Sequence, residues 1–389
     1  MGRAHDEMES IAAEYIQLAE SAETTRPVLR GEPIDGFAHD EYAALYAPAA
    51  QPDGTESVTR VWKSALFEDW QAYLQVLKNA PAEAAALRGE LVHSHAWIFE
   101  TLARGARCTD ARWKANWDDV NGTTPKLAPT RAVVEIATLG VAEFLDQSLE
   151  DRAVDVWLDL VQYGGDLTHA PGVIGRMIGA DVIHQVLGKA LFDDGVLDRL
   201  PAPQLERLAQ GLRTLESGLP KIRGARNWDL AAWAHTIARE YPNAEFVSLA
   251  PATLGDYVRF AFTGRHEGLD RVRQLSHWTA LENAFADDSW TAWIDGARAY
   301  REHVAPSEDP TGVGESIETT QHMMRVDLRI ARAAIEYRLS GQAVALPDPF
   351  GGSLEFTVEQ ARVRVASRGP RGGSAGMRIQ RNFALNGDG

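Results

Sequence analysis

Between residues 166 and 184 lie four side chains able to exchange protons or ligate a metal: Asp166, His169, Asp181 and His184. They form two pairs, each with three-residue spacing, and residues three apart share one face of an α-helix. A carboxylate beside an imidazole can act as a general acid/base pair or offer oxygen and nitrogen to a metal. Together the four would form the site of a metal-assisted or acid/base hydrolase, the alternative to a non-catalytic role. The competing role is structural, because an imidazole on an amphipathic helix commonly bonds a neighbouring carboxylate or carbonyl.

A second constellation joins aromatics to acids. Trp113, Trp117, Asp118 and Asp119 fall in a stretch rich in Asp, Asn, Gly, Thr and Pro, which reads as loop. Loop aromatics beside carboxylates suit contact with a sugar or a peptide. Anchoring of the loop in the core is the alternative. His93 and His95 stand about 200° apart on a helical wheel and cannot face one ion. Glu318 and His322 are four apart and can touch, but no second carboxylate–histidine set repeats them as a di-metal bundle requires. Asp287 and Asp288 lead into Ser289, which fits a helix N-cap better than a magnesium site.

Other motifs are missing. The chain has no Walker A loop and no G-x-G-x-x-G after a strand; Ser353 and Ser367 lie outside any G-x-S-x-G, and the Gly-rich surroundings of Ser374 (Gly372 to Gly376), which spell that pattern, read as turn rather than as a nucleophile elbow. Gly369, Gly372, Gly373 and Gly376 read as turns rather than a phosphate cradle. The single cysteine, Cys108, excludes an internal disulfide and a thiolate cage, and reads as a small buried hydrophobe. No metal centre and no cofactor is expected.

The elements that carry these residues are helical. Apolar residues recur every three to four positions over 7–22, 56–79, from Pro81 to about Arg104, and from Pro129 to about Leu145. Ser148 opens a further helix, with Gly164 and Gly165 as its end. The pattern resumes over 172–192, 203–217, 227–240, 254–262, 267–285, 289–304 and 314–339. Trp62, Trp70, Trp97, Trp157, Trp233, Trp278, Trp290 and Trp293 fall on expected helices, and most are expected in the core because they share stripes with Leu and Val. Pro27, Pro33, Pro48 and Pro52 turn Thr24 to Gly54 into an extended linker with one short helix at His39 to Tyr46. After Gly341 the pattern alternates at Leu354 to Val358 and Val363 to Val365, with a third strand expected at Met377 to Phe383.

The 389 residues, 45% hydrophobic and 24% charged, are of ordinary globular composition. A net charge of −16 repels phosphate backbones and anionic lipid, so nucleic acid and bare membrane are unexpected partners. Met323 to Gly389 holds ten Arg, no Lys and six acids, a local +4 that leaves −20 for the rest. The most apolar stretch, Val133 to Leu145, contains Glu135 and Glu143, and no direct membrane insertion is expected.

Two resemblances rest on quoted residues. From His322 to Gly372 the chain resembles the end of the major pseudopilin of type II secretion, through Tyr337, Arg338 and Leu339, then Leu346 and Pro347, then Asp348, Pro349, Phe350 and Gly351. It departs from that family in lacking the N-terminal pilin helix and a clear calcium loop. The segments Arg26–Tyr46, Leu102–Asp119, Ala153–Leu191 and Leu200–Pro220 resemble uncharacterised bacterial envelope proteins of the myxobacterial and planctomycete type. That likeness implies a helical body with this tail, and an envelope-facing ectodomain separated from a spanning helix. Without such a helix, a cytoplasmic placement is expected.

The expected fold is mainly α. Stacked antiparallel helical hairpins form a bundle or irregular solenoid, with a small C-terminal β-sheet. Three regions are expected: 1–55 (helix and linker), 56–312 (helical body) and 313–389 (long helix and β tail). The expected function is a non-catalytic interaction or scaffold module with a protein or peptide partner. A hydrolase on the carboxylate/histidine cluster and a small-ligand binder with a pocket between helices are the alternatives.

Overall fold

A computed structural model describes residues 2–46, 65–113, 125, 127–220, 225–240, 269–270, 272–285, 288–303, 311–359, 362–370 and 379–384. The chain is mainly α, with a small C-terminal antiparallel sheet. The helices are α1 (Gly2–Glu20), α2 (Ala38–Tyr46), α3 (Ala65–Asn79), α4 (Pro81–Ser94), α5 (Ala96–Arg107), α6 (Leu127–Asp146), α7 (Glu150–Leu167) and α8 (Gly172–Gln185). After a π-helical stretch, Val186–Asp193, come α9 (Val196–Arg199), α10 (Ala202–Gly218), α11 (Ala225–Glu240), α12 (272–284), α13 (Trp290–Arg301) and α14 (Thr311–Ser340). The expected helix over 254–262, and Trp62, lie outside the described residues.

α7 is the central rod. Every residue from Val156 to Leu167 is buried, which is the signature of a helix enclosed on all sides. α5, α6, α8 and α10 pack around it. Gly164 and Gly165 do not end this helix; they lie inside its last turns. A Cβ on Gly164 would stand 2.8 Å from Ile183 Cγ1 of α8, and one on Gly165 2.6 Å from Leu215 Cδ1 of α10. The glycines let neighbouring rods come close, and the sequence pattern of a C-cap is the same.

The helix expected from Pro81 onward is broken at His95, whose φ of −108° lies outside the helical well. The His95 ring bonds Asp69 of α3 at 3.0 Å, which ties the break to its neighbour. Ser289 caps α13 as expected, its hydroxyl accepting from the Ala292 N–H at 3.1 Å.

The proline-rich stretch after α1 is a strap bound to the body rather than a free linker. Its Arg26 N–H donates to Thr109 O at 3.0 Å, and Ala111 N–H donates back to Thr24 O at 2.9 Å. Farther on, β1 (Ile34–Phe37) pairs in parallel with β2 (Cys108–Asp110), the start of the stretch expected to be loop.

In the tail, β3 (Glu355–Glu359), β4 (Arg362–Ala366) and β5 (Gln380–Ala384) form an antiparallel sheet in the order β3-β4-β5. Tyr337 of α14 stacks on Phe356 with ring centroids 5.5 Å apart and meets Phe383 edge-on. The turn before the sheet is fastened by Asp348. Its carboxylate accepts from Phe350 N–H, Ser367 Oγ and Arg368 N–H at 2.8–3.0 Å.

Two apolar cores form among the described residues. The large one runs through α2 to α10, Trp278 of α12, α13, α14 and the sheet. The small one joins Met8, Ala12 and Tyr15 of α1 to Leu230, Ala231 and Ala234 of α11 and to Leu269 and Val272.

Candidate functional site

The four carboxylate and imidazole candidates separate into two pairs with different partners. Asp166 is fully buried, and its oxygens are already engaged. They accept from Arg26 Nε at 2.6 Å and Nη2 at 2.7 Å, from the Tyr42 hydroxyl at 2.8 Å and from Gln162 Nε2 at 2.9 Å. A carboxylate with this many donors is committed to a structural role.

His169 follows on the turn after α7. Its Nε2–H donates to the Gly218 carbonyl at 3.3 Å, so the neutral ring carries its lone pair on Nδ1. Burial pushes its pKa down to about 4, against the opposing pull of Asp166. The space that Asp166 and His169 share with Arg26 and Gln162 is about 10 Å³, room for one water and not for a substrate.

Asp181 and His184 lie farther along α8. Asp181 accepts from Gln185 at 2.8 Å, with Arg131 3.7 Å away. His184 Nδ1–H donates to Asp327 of α14 at 2.7 Å, and this bond raises its pKa. Arg381 of β5 reaches the other Asp327 oxygen at 3.7 Å. Among the described residues, no group of three or more His, Cys, Asp and Glu side chains could hold a metal ion. No helix among them is long and apolar enough to cross a membrane.

Trp117, Asp118 and Asp119 lie outside the described residues. Trp113 is buried, with its ring 4.5 Å from that of His39 and its indole N–H donating to the Asp166 carbonyl at 3.2 Å. It is core anchor and, at the same time, wall of a cleft.

That cleft, of about 490 Å³, opens where α1 and the strap meet the main body. Among the described residues its rim is Glu20, Ala22, Glu23 and Arg112, all exposed. Its floor is Trp113, Pro171, Gly172, Arg176 and Trp228, all buried, with His169 beside them. The start of α8 shapes this floor. Gly172 adopts φ +75°, open to glycine and strained for other residues, and the Asp229 carboxylate sits against it, leaving no room for a Cβ. Asp229 accepts from the Val173 N–H at 3.0 Å, capping the helix from α11. Burial raises the Asp229 pKa to about 6. Arg176, one turn into α8, is 7% exposed. Desolvation lowers its pKa to about 10, with Asp229, Glu318 and Asp288 opposing the shift, so it stays charged at neutral pH.

Sequence patterns find Trp113 and His169 but miss Arg176 and Trp228. Arg176 sits in a helical stripe of apolar residues with nothing to set it apart. Trp228 lies beside Asp229 at a helix start, a pairing that gains meaning only once Gly172 is brought against it.

Comparison with models of protein families, with curated proteins and with solved structures finds no match to this chain.

Proposed function

We propose that this protein is a non-catalytic binding protein that holds a small molecule in the cleft between α1, the strap and α8. The observation that carries this is the cleft itself. Its volume, about 490 Å³, is in the range of small-molecule sites. Two indoles, a buried guanidinium and a neutral imidazole converge on its floor. It also lies at the seam between the small and large cores, a usual place for such sites. The engaged state of Asp166 and the separation of the two acid–imidazole pairs favour binding over hydrolysis.

Thermal-shift and calorimetric screening of a small-molecule panel tests the reading, with Ala22→Trp as the control. Ala22 is an exposed rim residue, so an indole there fills the mouth without cutting the core. Binding that is lost in A22W supports the cleft. No binding by any compound, or equal binding by A22W, overturns it.

A protein or peptide partner is the second reading. It is favoured by Ile174 and Met177, 64% and 38% exposed at three-residue spacing on α8. The likeness to uncharacterised bacterial envelope proteins adds an envelope-facing placement to this reading, which protease accessibility in intact cells would test.

A further inference from the structure

We infer that the cleft selects a planar aromatic monoanion, an aromatic carboxylate, whose ring lies between Trp113 and Trp228 and whose carboxylate meets Arg176. The inference rests on the cleft being a ligand site. Two observations fix the chemistry. Trp113, Trp228, Pro171 and Ala170 supply apolar lining to the floor, and indole rings suit offset stacking on an aromatic ligand. Among the described residues of the floor the permanent positive charge is that of Arg176, because His169 is neutral and Arg112 is out at the rim. A guanidinium pairs with a carboxylate in bidentate fashion, and the bond strengthens where water is excluded.

The same arrangement sets an upper limit on ligand charge. Glu20 and Glu23 stand at the mouth, and the whole chain carries −16. Asp229, Asp288 and Glu318 already offset part of the Arg176 charge. A dianion such as a phosphate monoester, or a nucleotide, meets repulsion from Glu20 and Glu23 at the rim, with Arg176 the one cation among the described residues of the floor.

Calorimetry with three matched probes tests this: naphthalene-2-carboxylate, naphthalene-2-carboxamide and 2-naphthyl phosphate. The carboxylate is expected to bind at least tenfold tighter than the carboxamide and tighter than the phosphate. Arg176→Gln is expected to bring the carboxylate-to-carboxamide ratio near one, while Arg213→Gln, at an exposed arginine of α10 that does not line the cleft, keeps it. The comparison of probes in the wild-type protein stands even where R176Q fails to fold, which its circular dichroism melt reports. Equal binding of carboxamide and carboxylate overturns the charge selection and leaves the cleft as a neutral-ligand site. Tightest binding by the phosphate overturns the monoanion limit. Silence of all three while other compounds bind overturns the aromatic class, and silence of every compound removes the cleft reading with it.

Discussion

Arg26 and Asp166, 140 positions apart, form a buried bidentate ion pair that fastens the strap to the central helix. Arg30 repeats the contact with Asp159 and lies near Asp155. The strap therefore runs antiparallel to α7. Four extended residues span about 13 Å and seven helical residues about 10 Å, so the two arginines match the two aspartates in reach. The Arg26 guanidinium also donates to the carbonyls of Gly105 and Ala106, which end α5. One side chain thus joins the strap, α5 and α7.

Removing one partner of this pair leaves a buried charge without its counter-ion. Arg26→Met is expected to cost about 3–5 kcal/mol, the range for breaking a buried pair from one side. Tyr42→Phe removes one donor to the same carboxylate and is expected to cost about 1.5–3 kcal/mol. Urea unfolding followed by circular dichroism checks both. A loss below 1 kcal/mol in R26M would mean that the strap contributes little to the fold, by the scale of an exposed pair (~1 kcal/mol).

Packing at the α7–α8 crossing gives a contrast between two glycines. A Cβ on Gly179 would stand 2.6 Å from Thr168 N and 2.7 Å from Gly164 O, both backbone atoms that cannot swing away. Gly179→Ala is expected to cost about 3 kcal/mol or more, the upper end for overpacking. Gly341, after α14, has φ +70° and open space around its Cβ position. Gly341→Ala is expected to cost only the backbone strain, roughly 1–2 kcal/mol. Denaturant midpoints at unchanged slope measure the difference.

Helix periodicity made the α body and the alternating tail legible, because both follow from where apolar side chains must go. The strap was not legible. Pro27 and Pro33 exclude helix and so read as linker, yet an extended chain still offers backbone donors to Thr109 and side chains to α7. Gly164 and Gly165 carry the same ambiguity, since a glycine at a helix end and a glycine at a close crossing look alike along the chain. In the candidate site, Asp166 and His169 were visible as residue types. Their roles depended on Arg26 and Gly218, partners far away in sequence.

The junction of α8, α14 and β5 makes a local titration prediction. The hydrogen bond to the Asp327 carboxylate raises the His184 pKa. Asp327→Asn is expected to bring its pKa down toward the ordinary histidine value, read by NMR of the ring protons. The sign for stability follows from the raised folded value. The contribution is complete below the unfolded pKa of about 6.5 and fades as pH rises through the folded one. D327N is expected to flatten that part of the pH profile.

Two groups at the cleft titrate against each other. His169 is neutral in the fold, with its pKa lowered to about 4, while the unfolded ring takes up its proton near 6.5. Between those values the unfolded chain binds more protons, so stability rises with pH. Asp229 has the reverse shift, from 3.8 unfolded to about 6 folded. Over that window the folded chain binds more protons, and stability falls as pH rises. The two slopes oppose one another in the wild-type protein. Asp229→Asn, which can still accept from the Val173 N–H, is expected to leave the histidine slope exposed, so that stability climbs between pH 4 and 6.5. His169→Asn is expected to show the opposite tilt over pH 4–6. Urea titrations at half-unit pH steps separate them, and identical slopes in the two variants would mean that neither group carries its burial into the stability of the fold.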